Sequence, residues 1–411
     1  MKIDLGQKWE EEEKKEEMEM NSKKRPMDGV DKGLDEDGVS AMNMEANPVP
    51  SGVNEHPLSS TTGTSSCSKK LRTICMNDTA LEKIATTTTT TTTDTTSVFD
   101  YYDNFEKDTG PIWEHLREHG WAVISRVLTP EKVDTYFGEM WQWFESLGTG
   151  IDRTNPNTWK GEAWPFNIHG ILQHYRCGHS NFVWNIRTEH NVVGSFAKLW
   201  NVPQDELLTS FDGFCFMKGP ANSKPWAHWD QGSSKQGLQA LQGLVTLSSV
   251  ETSADGGLVV WDRSHAIHED YWNEYNTKSQ GDWYKIPEDN LRQLERDYRI
   301  KKVLVKAPAG SLVLWDSRVI HHNQPPKEGN TKQRACVYVC MTPRQRATPK
   351  DIKKKQDAFN SIRMTTHWPH TVKLFPENPR HYGKPQALQK FRLIDSPPVL
   401  SSLGMRLAGF S

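Results

Sequence analysis

His228 and Asp230 stand two residues apart in Trp226-Ala227-His228-Trp229-Asp230, a stretch of extended character. On a strand, residues i and i+2 project from the same face, so an imidazole and a carboxylate would enter one cavity while Trp229 points away. A second imidazole would complete a facial triad. The later stretch Leu312-Val313-Leu314-Trp315-Asp316-Ser317-Arg318-Val319-Ile320-His321-His322 supplies two candidates, His321 and His322. Two imidazoles and a carboxylate on one face of an octahedron hold Fe(II) and leave the other positions for a co-substrate and O2. The chemistry to expect is that of a non-haem iron oxygenase.

Two ambiguities remain at the level of the residues. His268-Glu269-Asp270 repeats the spacing, but it opens an aromatic stretch of helical character (Tyr271, Trp272, Tyr275), where positions i and i+2 diverge by about 200°. The pair at 228 and 230 is therefore preferred. Alternation from the turn at Gly310 does not choose between His321 and His322, because a bend is expected after Trp315.

Arg334 is the third chemically telling residue. It opens the apolar strand Ala335-Cys336-Val337-Tyr338-Val339-Cys340, so its charge is expected to be partly buried and to need a partner. A planar guanidinium fork takes a carboxylate through two parallel hydrogen bonds, as the far end of 2-oxoglutarate would require. A structural ion pair is the plainer reading.

Such a site needs rigid strands around it. Strand candidates follow one another at Leu208 to Met217, Leu238 to Val250, Leu258 to Trp261, Val303 to Ala307, Leu312 to Trp315 and Arg334 to Met341, separated by turns such as Asp255-Gly256-Gly257 and Pro308-Ala309-Gly310. Short strands with Gly/Pro turns predict an antiparallel sandwich or barrel. Helices come mainly before them. One runs through Trp113 and Leu116 to Gly120, ahead of a strand at Trp121 to Ile124. Another starts at Thr129-Pro130 and carries Val133, Tyr136, Phe137, Met140, Trp141, Phe144 and Leu147 at helical spacing. Thr188 is expected to cap a further helix with Val192, Phe196, Leu199 and Trp200 inside. Gly150 to Gly178 reads as a long ordered loop, and Asp282 to Arg299 as a helical insertion.

In the 411-residue chain, only 35% of residues are hydrophobic, and much of the deficit lies at the front. Residues 1–95 hold a Glu/Lys block and a run of threonines from Thr86 to Thr93, too little apolar surface to offset the entropy of ordering. They are expected to be disordered, with one catalytic domain over 96–345 and a C-terminal extension, 346–411, wrapping its surface. The formal net charge of −2 argues against a general nucleic-acid binder. No apolar run reaches the length of a membrane span, no signal peptide opens the chain, and the end Ala408-Gly409-Phe410-Ser411 is no peroxisomal address. A cytoplasmic protein is expected. The six cysteines include no CxxC pair, so neither a disulfide framework nor a zinc site is indicated.

With these pieces in place, the region from about Phe99 to Pro343 resembles the phytanoyl-CoA dioxygenase family of Fe(II)/2-oxoglutarate oxygenases. The matching stretches are GWAVISRVLTPEKV, FCFMKGPANSKPWAHWDQ, GGLVVWDRSHAIH, PAGSLVLWDSRVIHH and QRACVYV, in that order. The resemblance implies a double-stranded β-helix, or jelly roll, mainly β with flanking helices. It implies an iron triad of His228, Asp230 and His321, with His321 chosen over His322, and a 2-oxoglutarate anchor at Arg334. Lys218 and Asn323 join Arg334 as expected co-substrate contacts. The family's Pro-Gly-Ser-His turn is here Asp262-Arg263-Ser264-His265, which leaves Ser264 and His265 in place, His265 being read as a turn residue. Asp230 disfavours halogenation, which needs a small residue there so that chloride can bind. The segment RMTTHWPHTVKLFPENPRHYG lies outside the family pattern.

The implied cofactors are Fe(II), 2-oxoglutarate and O2, and the implied reaction is oxidation of a substrate C–H bond with release of succinate and CO2. Trp164, Phe166, Trp184 and Trp226 are candidates for an aromatic wall, and Arg176, Arg187, Lys218 and Lys224 for cations at the mouth. Together they suit a small organic acid or an amphiphile. A peptide hydroxylase of the same fold and a catalytically silent binding scaffold are the alternatives. Oligomeric state is not legible.

Overall fold

The computed structural model describes residues 110–221, 226–275, 277–279, 281–378 and 391–411. The disordered segment expected over 1–95 and the cation Lys224 lie outside the described residues.

The chain opens with α1 (Gly110–His119), β1 (Trp121–Ile124) and α2 (Pro130–Ser146), then β2 (Ile171–Leu172), α3 (Asn181–Thr188) and α4 (His190–Trp200). Strands follow: β3 (Leu207–Thr209), β4 (Phe214–Met217), β5 (His228–Trp229), β6 (Leu241–Thr246) and β7 (Gly257–Asp262). An insertion carries α5 (His268–Glu274), β8 (Tyr284–Lys285) and α6 (Glu288–Asp297). The core closes with β9 (Lys301–Leu304), β10 (Leu312–Asp316), β11 (His321–Gln324), β12 (Arg334–Tyr338) and β13 (Met341–Pro343). Helices α7 (Pro349–Asn360) and α8 (Ser402–Leu407) lie beyond it.

Two antiparallel sheets result, without closing into one barrel. The larger runs β1-β10-β6-β12-β4-β2, with β13 and β3 joined beside β6; the smaller runs β8-β5-β11-β7-β9. Successive strands β4, β5, β6 and β7 alternate between the sheets, as do β9, β10, β11 and β12. That alternation is the jelly-roll topology.

Strands β4, β6 and β10 are buried along their whole length on both faces, which explains their near-continuous apolar runs. Cys215, Leu244, Val313 and Cys336 of the larger sheet meet Leu258 and Val260 of the smaller between the layers. The opposite face of the larger sheet, including Phe214, Phe216, Leu312 and Leu314, packs on Met140, Phe144 and Phe196 of the helices. Behind the smaller sheet, Trp229, Val259 and Trp261 pack on Tyr271, Trp272 and Leu294 of the insertion.

The helix expected after Thr129 forms, with Thr129 Oγ1 accepting from Lys132 N and Pro130 at its start. Thr188 does not cap the next one. Its hydroxyl donates back to Trp184 O at 2.9 Å, so it closes α3, and α4 begins after Glu189. The strand expected over Leu208 to Met217 breaks into β3 and β4, with Gly213 at the joint; a Cβ there would lie 1.9 Å from Leu172 O. Arg334 to Met341 likewise divides into β12 and β13. In the C-terminal extension, Phe359 of α7 meets Trp184 edge-on at 5.6 Å, and Lys355 Nζ donates to Thr209 O. No helix among the described residues is long and apolar enough to cross a membrane.

Candidate metal centre

His228 on β5 and His321 on β11 are register partners, their rings 4.3 Å apart. Asp230 follows β5 by one residue, and one ligand atom from each of the three lies within 4.8 Å of the others. His228 Nε2 is 3.6 Å from Asp230 Oδ1, and His321 Nε2 is 3.3 Å from Oδ2. Each Nδ1 donates to the carbonyl two residues earlier, His228 to Trp226 O at 3.0 Å and His321 to Val319 O at 2.9 Å. A carbonyl can only accept, so the proton sits on Nδ1 and the lone pair of Nε2 is turned to the centre, the state a metal requires.

The electrostatics agree with that state. Burial, assisted by neighbouring His321, pushes the His228 imidazole down to about 3, so it is neutral. Burial alone would raise Asp230, but His367, His228 and His321 outweigh it and hold the carboxylate well below its usual range. Gln242 Nε2 on β6 donates to Asp230 Oδ2 at 2.8 Å. Two imidazoles and an ionised carboxylate fit a divalent metal of the Fe(II) kind.

The neighbouring histidines fall elsewhere. His322 projects from the opposite face of β11, buried 5.6 Å from the Trp261 ring. His268 bonds Gln231 O at 2.7 Å behind the smaller sheet. His265 donates to Arg117 O at 3.0 Å, and Ser264 Oγ accepts from Ile320 N at 2.8 Å, bracing the strand that carries His321.

Arg334 enters the space between the sheets. It is buried, donating to Asn323 Oδ1 and Cys215 Sγ, each at 3.0 Å. Asn323 is itself oriented by donating to Tyr338 Oη at 2.7 Å. Among the described residues no carboxylate pairs with this guanidinium. Beside it lies a small cavity lined by Leu244, Thr246, Leu258, Val313 and Cys336.

Lys218 is not brought there. It is exposed, its ammonium donating to Trp159 O and lying 4.6 Å from the Trp164 ring centroid. The expected aromatic wall also divides. Trp226 alone lies on the centre, stacked on His228 at 4.6 Å and 6°. Trp164 stacks on Phe144 at 4.5 Å in the helical core, Trp184 packs with Phe211 and Phe359, and Phe166 neighbours His174. Arg187 is fully buried and spent on Gly178 O and Asp212 O at 2.6 and 2.5 Å, and Arg176 donates to Ile394 O at 2.6 Å. Trp283, 5.8 Å from the His228 ring, His367 and Gln242 complete the surroundings unannounced by sequence.

No family model matches the chain. Over 269 residues it is 29% identical to Ava biosynthesis cluster protein O of Aspergillus versicolor, covering 62% of this chain and 85% of that protein. Over 274 residues it is 23% identical to a Dictyostelium discoideum protein provisionally named a phytanoyl-CoA dioxygenase, covering 56% and 75%. The chain resembles the phytanoyl-CoA dioxygenases. Among solved structures it is similar to EctD from S. alaskensis with 2-oxoglutarate and 5-hydroxyectoine, at a TM-score of 0.40 and 13% identity, over 71% of this chain and 86% of that one.

Proposed function

We propose that this chain is an Fe(II)- and 2-oxoglutarate-dependent dioxygenase that oxidises, most simply by hydroxylation, a C–H bond of a small organic acid or amphiphile. The observation that carries the reading is Arg334. A buried guanidinium is costly without a counter-charge, and this one shares the space between the sheets with the His-Asp-His set while pairing with no carboxylate among the described residues. The far carboxylate of 2-oxoglutarate supplies the missing partner.

In this reading His228 Nε2, Asp230 and His321 Nε2 hold the iron. When bound, iron couples oxidative decarboxylation of 2-oxoglutarate, to succinate and CO2, to oxidation of the substrate by O2. The chain's own part is to bind and orient. Arg334 takes the carboxylate in its planar fork, and Asn323 fixes the guanidinium plane. Gln242 occupies one oxygen of Asp230, which would leave the other for a metal. Trp226 and Trp283 flank His228 with apolar surface that excludes water. Lys285, exposed on β8 opposite His228, offers a cation for an acidic substrate. The A. versicolor relative, named for a biosynthesis cluster, supports a small-molecule substrate.

The test is 2-oxoglutarate turnover. Protein supplied with Fe(II), 2-oxoglutarate and O2 is expected to release succinate, faster with a suitable substrate, and the Asp230→Ala chain is expected to release none. Equal succinate from both chains contradicts the assignment.

A further inference from the structure

Asp230 is approached by a third imidazole from a part of the chain outside the family pattern. His367 Nδ1 lies 3.9 Å from Asp230 Oδ2, the oxygen that already accepts from Gln242. His367 belongs to the C-terminal segment, and contacts that do not involve its ring hold that segment in place. Thr365 Oγ1 accepts from Phe211 N at 2.8 Å, and Thr366 N donates to Lys373 O at 2.9 Å. Trp368 is fully buried, and Lys373 Nζ reaches Asp282 Oδ2 at 2.6 Å. Asp282 in turn takes Lys235 at 2.6 Å, whose ammonium lies 3.9 Å from the Trp368 ring centroid. The clamp therefore ties the segment to the loop after Asp230 and to the insertion that carries Trp283.

The choice of histidine at 367 is costly. Its Nε2 is buried with no hydrogen-bond partner, and such a group carries a desolvation cost that an apolar side chain of similar size would avoid. Packing alone does not call for an imidazole here. A carboxylate that binds a metal through one oxygen leaves the other to be held by donors, and Oδ2 has room for two. Closing the gap from 3.9 Å to charge-assisted hydrogen-bond length takes about 1 Å.

We infer that the C-terminal segment is part of the active site and that His367 is a positioning residue, whose Nδ1–H joins Gln242 on Asp230 Oδ2 and directs the other carboxylate oxygen to the metal. The inference rests on the reading of His228, Asp230 and His321 as a metal centre.

Co(II) is the probe, added to the full chain without substrate and followed by its visible absorption and its affinity. His367→Ala is expected to weaken Co(II) binding about 10- to 100-fold, as loss of a hydrogen bond behind a ligand does, and to alter the absorption envelope. His367→Asn, whose amide nitrogen falls near the position of Nδ1, is expected to restore most of both, with the melting temperature of the metal-free protein unchanged. A purely structural role would move melting and leave the spectrum alone. Wild-type affinity and spectrum in His367→Ala overturn the inference. Should that variant fail to fold, Lys373→Ala, which loosens the same segment, is read in its place: weaker Co(II) binding supports the inference and unchanged binding overturns it. If the wild-type chain and His228→Ala bind Co(II) equally poorly, the metal centre itself falls, an outcome distinct from failure at His367 alone.

Discussion

Gln242 reaches from β6 to Asp230 and donates its amide to Oδ2 at 2.8 Å, which leaves the carboxylate a defined orientation before any metal arrives. Gln242→Ala removes that donor and is expected to weaken Fe(II) affinity about 10- to 100-fold. Gln242→Glu places a second carboxylate against the first and should weaken it at least as much. Anaerobic Fe(II) titration measures both, and wild-type affinity in either variant contradicts the role.

Arg334 and Asn323 make a prediction on the co-substrate rather than on the metal. Removing one partner of a buried, hydrogen-bonded charge pair costs about 2–5 kcal/mol, so Arg334→Ala should weaken 2-oxoglutarate binding by roughly 30-fold or more while Fe(II) binds as before. Arg334→Lys keeps a charge but loses the planar fork and should fall between. Isothermal titration of the metal-loaded protein with 2-oxoglutarate separates the three chains.

Acid stability follows from the buried histidines. Burial lowers His179 and His228 to about 3 and His322 and His370 to about 4, from an ordinary 6.5. The unfolded chain then takes up protons below pH 6.5 that the folded chain refuses until near pH 4. Stability of the metal-free protein is therefore full above about pH 7 and is lost as pH falls through 6.5, by up to about 1.4 kcal/mol per pH unit for each histidine. The depressed carboxyl of Asp230 works at lower pH, its stabilisation being full above the ordinary 3.8 and lost as pH falls from there through its folded value. Melting temperature from pH 7.5 to pH 5 should fall steeply; a flat profile contradicts the neutral, buried state of these rings.

Gly232 permits the loop after Asp230 to lie against the insertion. A Cβ there would stand 2.1 Å from the backbone oxygen of Gly281 and 2.6 Å from Ser279 Oγ. Gly232→Ala should force the two segments apart, break the 2.9 Å bond from Ser233 N to Ser279 Oγ, and destabilise the fold by about 1–3 kcal/mol. Urea denaturation gives the value.

The pair at 228 and 230 was legible because strand geometry is periodic, whereas the choice of His321 over His322 came from the family resemblance. His228 and Asp230 share a face by spacing alone, and Arg334 announces itself as a charge at the head of an apolar strand. Lys218 is an error that the same periodicity could have caught. Met217 lies opposite Arg334 in register, and alternation turns the next residue away. Trp164 and Trp184 look like their counterparts at the site because an indole packs equally well in a helical core. Gln242 is masked by its strand, where one amide between Leu241 and Gly243 has no signature until its partner is known. His367 has neither period nor motif, and long-range chain placement alone brings it to Asp230.

The central claim is tested most directly by adding 2-oxoglutarate to the anaerobic Fe(II)-loaded protein and recording the visible charge-transfer absorption that arises when the keto acid chelates the metal. Wild type should develop the band, His228→Ala should show none, and Arg334→Ala should develop it only at much higher 2-oxoglutarate. A folded wild-type chain that develops no band, or a His228→Ala chain that develops the same band, contradicts the account.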